Sequence, residues 1–389
     1  MDAVALQQIQ VVQPDGTQET VNCSLSLLCG LVIVRNVSSF HELQEMLKSP
    51  IHSFEIERAT LVVQFATANP SPFPLSPSLD MNRLMRDGKY ALQVQEVISA
   101  GSQEDIGRLI HTVFKGHVFA LSLNAVGCRV VQKLLDMANP KDALALVHPE
   151  LNLRVIDCSL DVNGNHVIQK FIDRLPSEDC QFIVDALFGA QDGVAIRRLA
   201  SHCYGCRVVQ RLISRCTSDQ VEPILEALTS DPTLIASLSE DVFGNYVMQH
   251  ALDHGREIDK ERISICLASM NVVELGCSKF ASNVLEKAVR TGGAFSTRLL
   301  IDAMLSASDF ATGEPGILTL MKDRYGNYVV RAVMELTRPE FQPEVTLVRN
   351  LILTNAQQLK KYTFSWHLVE RLDKLNPTRD DKLRRNHGM

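Results

Sequence analysis

One phrase is written seven times along this chain, at intervals close to forty residues. It reads DGKYALQVQEV from Asp87, VGCRVVQKLL from Val126, NGNHVIQKFI from Asn163, YGCRVVQRLI from Tyr204, FGNYVMQHAL from Phe243, FASNVLEKAV from Phe280 and YGNYVVRAVM from Tyr325. The residue after the Gly, or after Ala281, falls at 89, 128, 165, 206, 245, 282 and 327, so successive copies lie 39, 37, 41, 39, 37 and 45 residues apart. A unit of this length, apolar at helical spacing, cannot bury its hydrophobic face alone and stacks on its neighbours. Within each phrase the Gly turns the chain into a helix, and the Val and Leu that follow point inward. Apolar-periodic pieces flank the phrases, such as VFALSLNAV from Val118 and EPILEAL from Glu222, so each unit should hold two or three short helices. The expected fold class is all-α, a solenoid of stacked helical repeats.

Residues 1–80 stand outside this grammar as an N-terminal extension. Pro70, Pro72, Pro74 and Pro77 mark an extended linker, because proline blocks both helix and ladder bonding. A faint echo of the phrase, TLVVQ at Thr60 to Gln64, suggests a degenerate first repeat; it lies 29 residues before Lys89, too close for a full unit. At the other end YTFSWHLVERL, Tyr362 to Leu372, keeps the rhythm, with Ser365 in the Gly place and Trp366 coming 39 residues after Asn327. A terminal, atypical unit caps a solenoid. The repeat domain is therefore bounded at 81–376, with seven recognisable repeats and a C-terminal cap, followed by a polar tail at 377–389.

Composition narrows the function classes. No apolar run reaches the roughly 18 to 20 residues that a membrane span needs, and SLSLLCGLVIV (Ser24 to Val34) is too short and too far from the start for a signal peptide. No membrane segment is expected. Ten cysteines at irregular positions fit reduced thiols in a cytosolic or nuclear compartment. The pair in CYGC, Cys203 and Cys206, lacks a second pair to complete a zinc site, so neither metal nor cofactor is expected. No nucleophile, base and orienter recur together, and no phosphate-cradling glycine loop is present, which argues against an enzyme. The net charge is −6, but 36 of the 39 basic and 37 of the 45 acidic residues lie from position 81 onward, leaving the array almost neutral. Affinity for nucleic acid would then come from bases more than from phosphates.

Three positions of each phrase carry the chemistry: the residue after the Gly, the next one, and the one four after the first. At 100° per residue the first and last lie about 40° apart, one turn above the other, and the middle one about 100° round. The trios are Lys89/Tyr90/Gln93, Cys128/Arg129/Gln132, Asn165/His166/Gln169, Cys206/Arg207/Gln210, Asn245/Tyr246/Gln249, Ser282/Asn283/Glu286 and Asn327/Tyr328/Arg331. Each combines an edge-reading pair with a flat or long side chain. One such trio is an ordinary solvated helix face; seven in order are a pattern.

Over residues 84–376 the chain resembles the Pumilio (PUF) family of RNA-binding proteins, all seven trios and the terminal phrase matching in sequence. The resemblance implies a right-handed, crescent-shaped α-solenoid of Pumilio repeats with capping repeats, its concave face binding single-stranded RNA one base per repeat, antiparallel to the chain. A Gln amide offers one donor and one acceptor to uracil, with Asn adding a second contact; beside a smaller Cys or Ser the same Gln fits adenine. A carboxylate accepts only, and so suits the two donors of guanine. By that pattern Asn327 and Arg331 take U, Ser282 and Glu286 G, Asn245 and Gln249 U, Cys206 and Gln210 A, Asn165 and Gln169 U, Cys128 and Gln132 A, and Gln93 U. The expected site is UGUAUAU, with Tyr90, Arg129, His166, Arg207, Tyr246, Asn283 and Tyr328 stacking between bases.

Two residues depart from the family pattern. Arg331 stands where Gln is usual, and Lys89 replaces a small or amide residue. Basic residues after the reading position, Lys133, Lys170, Arg211 and Lys287, are expected on a solvated flank. The resemblance further implies a cytoplasmic, monomeric regulator on mRNA 3′ untranslated regions with UGUA-type elements. It would act by translational repression or mRNA decay, with deadenylase-type co-repressors contacting the loop Ser306 to Gly316. The alternatives are a helical-repeat protein-interaction scaffold, which needs no varying amide, thiol and acid at one fixed trio, and a divergent nucleolar ribosome-assembly factor, which would carry degraded trios and a strongly basic surface.

Overall fold

The structure, a computed structural model, describes residues 7–12, 18–23, 79–188, 193–309 and 313–375. The proline-rich linker, the echo at 60–64 and the polar tail lie outside these residues. The chain divides into two compact units, Met1–Leu146 and Val147–Met389.

In the first unit two strands, Gln7–Val12 and Gln18–Cys23, pair antiparallel with Ile9 opposite Val21. The all-α expectation did not include them. Their signal is in the sequence: β-branched Ile9, Val11, Val12, Thr20 and Val21 flank a Pro14-Asp15-Gly16 stretch of turn-forming composition. From Met81 onward the unit is helical. Met81–Arg86 leads into Gly88–Ala100; Gln103–Leu109 continues into a wider turn at Ile110–Phe114; Val118–Leu123 precedes Gly127–Met137; and Pro140–Leu151 begins at its end. Helices Gly88–Ala100 and Gly127–Met137 pack side by side, closing over fully buried Val94, Ile98, Val130, Val131 and Leu134.

The second unit repeats a triplet of helices. A short first helix (Val155–Leu160, Val194–Ala200, Pro232–Glu240, Val272–Cys277, Gly316–Lys322) feeds the helix that carries the trio. These trio helices are Gly164–Arg174, Gly205–Arg215, Gly244–His254, Ala281–Thr291 and Gly326–Met334. A third helix follows each: Gln181–Phe188, Ser218–Thr229, Glu257–Ser269, Ala294–Ser306 and Gln342–Thr354. Each trio helix packs against the next, and Val167, Ile168, Val208, Val209, Val247, Met248, Val284, Leu285, Val329 and Val330 are fully buried, as their spacing requires. Trp366–Leu375 packs on Gln342–Thr354 as the terminal cap; Ser365, read in the Gly place, is buried and donates its hydroxyl to the Met321 carbonyl at 2.7 Å.

Entry to the six trio helices from Gly127 onward is set by a side-chain acceptor three residues before the Gly, or before Ala281. Asp161 Oδ1 accepts from Asn163 N and Gly164 N at 2.8 Å each, and Asp323 Oδ1 from Tyr325 N and Gly326 N at 2.7 and 2.9 Å. Asn124, His202, Asp241 and Ser278 do the same in their repeats. The Gly itself is needed for space, not for a left-handed backbone. Among the described glycines positive φ occurs at Gly116, Gly193 and Gly313, whereas a Cβ on Gly205 would lie 2.9 Å from the Leu199 carbonyl oxygen of the short helix above it. The long interval before Asn327 is closed at its described ends by Gly316 N donating to Ala307 O and Asp309 N to Glu314 O, both at 2.8 Å.

Candidate nucleic-acid interface

In the second unit the trio residues form a graded surface. The first members, Asn165, Cys206, Asn245, Ser282 and Asn327, are buried. The middle members His166, Arg207, Tyr246, Asn283 and Tyr328 are exposed, the two tyrosines by 44% and 46%. Of the last members, Gln169, Gln249, Glu286 and Arg331 are half-buried and Gln210 is buried. One row of groups at intermediate depth is thus flanked by a row of flat or long side chains standing clear of it.

The buried asparagines do not offer their donors to a base. Asn165 gives both Nδ2 hydrogens to the preceding turn, to Asp161 O at 2.8 Å and Val162 O at 2.9 Å, and Asn245 and Asn327 repeat the arrangement on Asp241, Val242, Asp323 and Arg324. The sequence pattern has Asn adding a second base contact; in the structure its Nδ2 donors are engaged by the turn. What remains is Oδ1, which accepts Gln169 Nε2 at 2.8 Å and, in the other repeat, Gln249 Nε2 at 3.0 Å. Because the Asn is fixed by two carbonyls, the orientation of the Gln amide is fixed as well. Gln169 Nε2 also reaches Asn165 O at 3.3 Å, so its hydrogens are occupied and the acceptor Oε1 faces outward. An outward acceptor matches the N3–H of uracil.

A cysteine in the first place changes this pattern. Cys206 directs its thiol to Cys203 O at 3.7 Å, and burial pushes the thiol pKa up, so it stays neutral beside the amide. It offers nothing to orient Gln210. Gln210 Oε1 accepts Arg207 Nη1 at 3.4 Å, while Nε2 is buried with no hydrogen-bond partner. Arg207 also lies 5.2 Å from the Tyr246 ring centroid, bridging one middle position to the next.

Glu286 is held by arginines. Arg290, one turn on, donates Nε and Nη2 to Glu286 Oε1 at 3.1 and 3.0 Å, and its Nη2 also reaches Glu335 Oε2 at 3.3 Å. Arg331 Nη2 stands 3.9 Å from the same Oε1. Oε2 accepts no hydrogen bond among the described residues, leaving an acceptor face open. Sequence reasoning did not single out Arg290; its place four residues after Glu286 was the available signal. The expected solvated flank is instead partly paired across repeats: Lys287 meets Asp253 at 2.9 Å and Arg211 meets Asp173 at 3.4 Å.

In the first unit Cys128 is buried, Arg129 exposed and Gln132 half-buried; Gln132 Nε2 donates to Cys128 O at 3.1 Å. The trio Lys89/Tyr90/Gln93 is out of register. Asp87 Oδ1 accepts from Lys89 N and Tyr90 N at 3.0 and 3.1 Å, the same two bonds that Asp161 makes to Asn163 and Gly164, so Tyr90 occupies the Gly place. Tyr90 is 3% exposed with the Arg83 guanidinium 4.4 Å over its ring, which removes it as a stacking platform, and Gln93 is buried. The equivalent trio is Ala91/Leu92/Gln95: Ala91 buried, Leu92 exposed, and Gln95 Nε2 donating to Ala91 O at 3.2 Å as Gln132 does to Cys128.

Among the described residues no group of three or more His, Cys, Asp or Glu is placed to hold a metal, and no helix is long and apolar enough to cross a membrane.

The repeats match those of known proteins. Residues 117–148, 154–188, 196–229, 235–264, 271–305 and 316–342 match the Pumilio-family RNA binding repeat; the helix of Gln95 lies ahead of these six stretches. The chain is 31% identical over 170 residues, 43% of its length, to Pumilio homology domain family member 4 of Saccharomyces cerevisiae, of which it covers 18%. It is 28% identical over 180 residues, 42% of its length, to Fem-3 mRNA-binding factor 2 of Caenorhabditis elegans, of which it covers 28%. The chain thus spans well under half of these relatives. Among solved structures it superposes on PUF-8 in complex with PBE-RNA with a TM-score of 0.66 at 25% identity, covering 91% of this chain and 95% of that one. It also superposes on the Puf4 RNA-binding domain bound to the HO endonuclease RNA 3′ UTR recognition sequence, with a TM-score of 0.60 at 26% identity, covering 78% and 90%. With buried turns, stacked trio helices and six matched repeats in agreement, the chain belongs to the Pumilio (PUF) family of RNA-binding repeat proteins.

Proposed function

We propose that the chain binds single-stranded RNA sequence-specifically, one base per repeat, the strand running from the Asn327 repeat at its 5′ end to the Gln95 repeat at its 3′ end. The reading rests chiefly on one observation: the last trio member and its hydrogen-bonding partners change from repeat to repeat while the helix that carries them keeps its place in each repeat. Gln169 spends both Nε2 hydrogens on Asn165 and turns out an acceptor; Gln249 is tied by Asn245 Oδ1; Gln132, beside Cys128, is bonded to a backbone carbonyl; Gln210 Nε2, beside Cys206, has no partner; Glu286 accepts only. These patterns complement uracil, adenine and guanine in turn. The core of the site is UGUAUA. Gln95, backed by Ala91 and bonded like Gln132, favours adenine as the seventh base in place of the uracil read from Gln93.

By analogy with relatives bound to 3′ UTR sequences, the targets are cytoplasmic messages carrying UGUA-type elements. The outcome is translational repression or decay through deadenylase-type partners, with the loop between Ser306 and Gly316 as a contact and the chain acting as a monomer. Selection from a random RNA pool on the full chain tests the reading. Enrichment of a UGU core supports it, and failure to enrich any sequence sinks it.

A further inference from the structure

We propose that Arg331 reads the guanine of the site jointly with Glu286 and does not read the base of its own repeat. This rests on the assignment of Glu286 to guanine. The Watson–Crick edge of guanine presents an acceptor, O6, beside two donors, N1–H and N2–H. A carboxylate meets the donors but leaves O6 facing nothing, and an unmatched acceptor taken from water costs affinity. A guanidinium beside the carboxylate supplies the missing donor, and arginine to guanine O6 is among the commonest specific contacts in nucleic-acid recognition.

The geometry points to Arg331 for that task. Asn327 is fixed as Asn165 is, with both Nδ2 hydrogens on Asp323 O and Arg324 O at 2.9 and 3.0 Å, so its Oδ1 faces the place where Gln169 and Gln249 dock in their repeats. Arg331 makes no such bond among the described residues. Its guanidinium lies 4.8 Å from the Tyr328 ring centroid, and Nη2 is 3.9 Å from Glu286 Oε1, across the boundary between adjacent trio helices. That spacing is too long for a strong ion pair and leaves a hydrogen-bond donor beside the carboxylate. Together the two side chains present donor, acceptor, acceptor, the complement of the guanine edge. Arg290 already bonds Glu286 Oε1 and is shared with Glu335, so it positions the acid while Arg331 remains free to meet the base.

The test is fluorescence anisotropy of the full chain, wild type and Arg331→Gln, on labelled UGUAUAA RNAs. The second base is guanine or 6-thioguanine, which keeps N1–H and N2–H but accepts weakly at position 6. Wild type should lose affinity about tenfold on the thio substitution, while Arg331→Gln should bind the two RNAs within about twofold of each other. Equal penalties in both proteins overturn the role of Arg331 and leave Glu286 untouched. A wild type that does not prefer UGU over its scramble overturns the assignment of Glu286, and this inference with it. Arg331→Ala, which cannot dock on Asn327, repeats the comparison and should behave as Arg331→Gln does.

Discussion

Asn165 Oδ1 accepts the Gln169 amide at 2.8 Å while both Asn165 donors are spent on backbone carbonyls. On the proposed reading, the residue that distinguishes a uracil repeat from an adenine repeat acts beneath the base, by turning the amide above it. Asn165→Cys should release Gln169 Nε2 and move preference at the matching base from uracil to adenine, with a change in the ratio of roughly tenfold. Binding measured on RNAs differing at that base checks this; an unchanged uracil preference would mean Asn165 is only a turn residue.

Glu286 is the one acid among the reading positions, and on the proposed reading its Oε2, which accepts no hydrogen bond among the described residues, is the acceptor that meets guanine. Glu286→Gln combined with Ser282→Asn rebuilds the uracil pair of Asn245 and Gln249. The double variant should weaken binding to UGU and shift the second base towards uracil, by about 1–3 kcal/mol of discrimination. Retention of guanine preference would reduce the acid to a partner of Arg290.

The phrase, its period and its inward valines were legible in the sequence because helix packing imposes them residue by residue. The register of the first copy was not. Gly88 is followed by a Lys-Tyr pair, and Gln93 comes four residues after Lys89, so the stretch satisfies the same spelling; only the bonds from Asp87 reveal that Tyr90 has taken the Gly place. The cue that resolves it lies downstream, where Gln95-Glu96-Val97-Ile98 parallels Gln132-Lys133-Leu134-Leu135. The supporting role of Asn165 was hidden for another reason: hydrogen bonds to backbone carbonyls leave no trace in side-chain spacing. Arg207 over Gln210 and Arg290 on Glu286 likewise depend on rotamers that no pattern encodes.

The corrected register makes its own prediction. Gln95→Ala should flatten discrimination at the seventh base while sparing UGU, since Gln95 repeats the Gln132 bond to the carbonyl four residues back. Gln93→Ala should leave base preference unchanged. Competition binding with the seventh base varied decides between them, and the reverse result would restore the trio beginning at Lys89.

Stability separates from recognition at Asp259. This fully buried carboxylate accepts Arg256 Nε and Nη2 at 2.8 and 3.0 Å and the Thr229 hydroxyl at 3.1 Å, between successive third helices. Asp259→Ala removes this buried junction but leaves Arg256, partly exposed, paired with Glu222 and Glu226, and should cost about 1–3 kcal/mol. Denaturant unfolding should register that loss, and the folded variant should keep the wild-type order of preference among RNAs.

Stacking and charge are distinguished by their signatures. Tyr246 and Tyr328 stand exposed beside the reading row, and the chain from residue 81 onward is close to neutral. Each Tyr→Ala change should weaken all bound sequences alike, by about 1–3 kcal/mol, because every base has a face to stack. The salt dependence should be shallow, since few phosphates need neutralising. Titrations across a range of salt concentrations measure both: a steep salt slope, or a tyrosine loss confined to one base, would shift the source of affinity from the bases to the backbone.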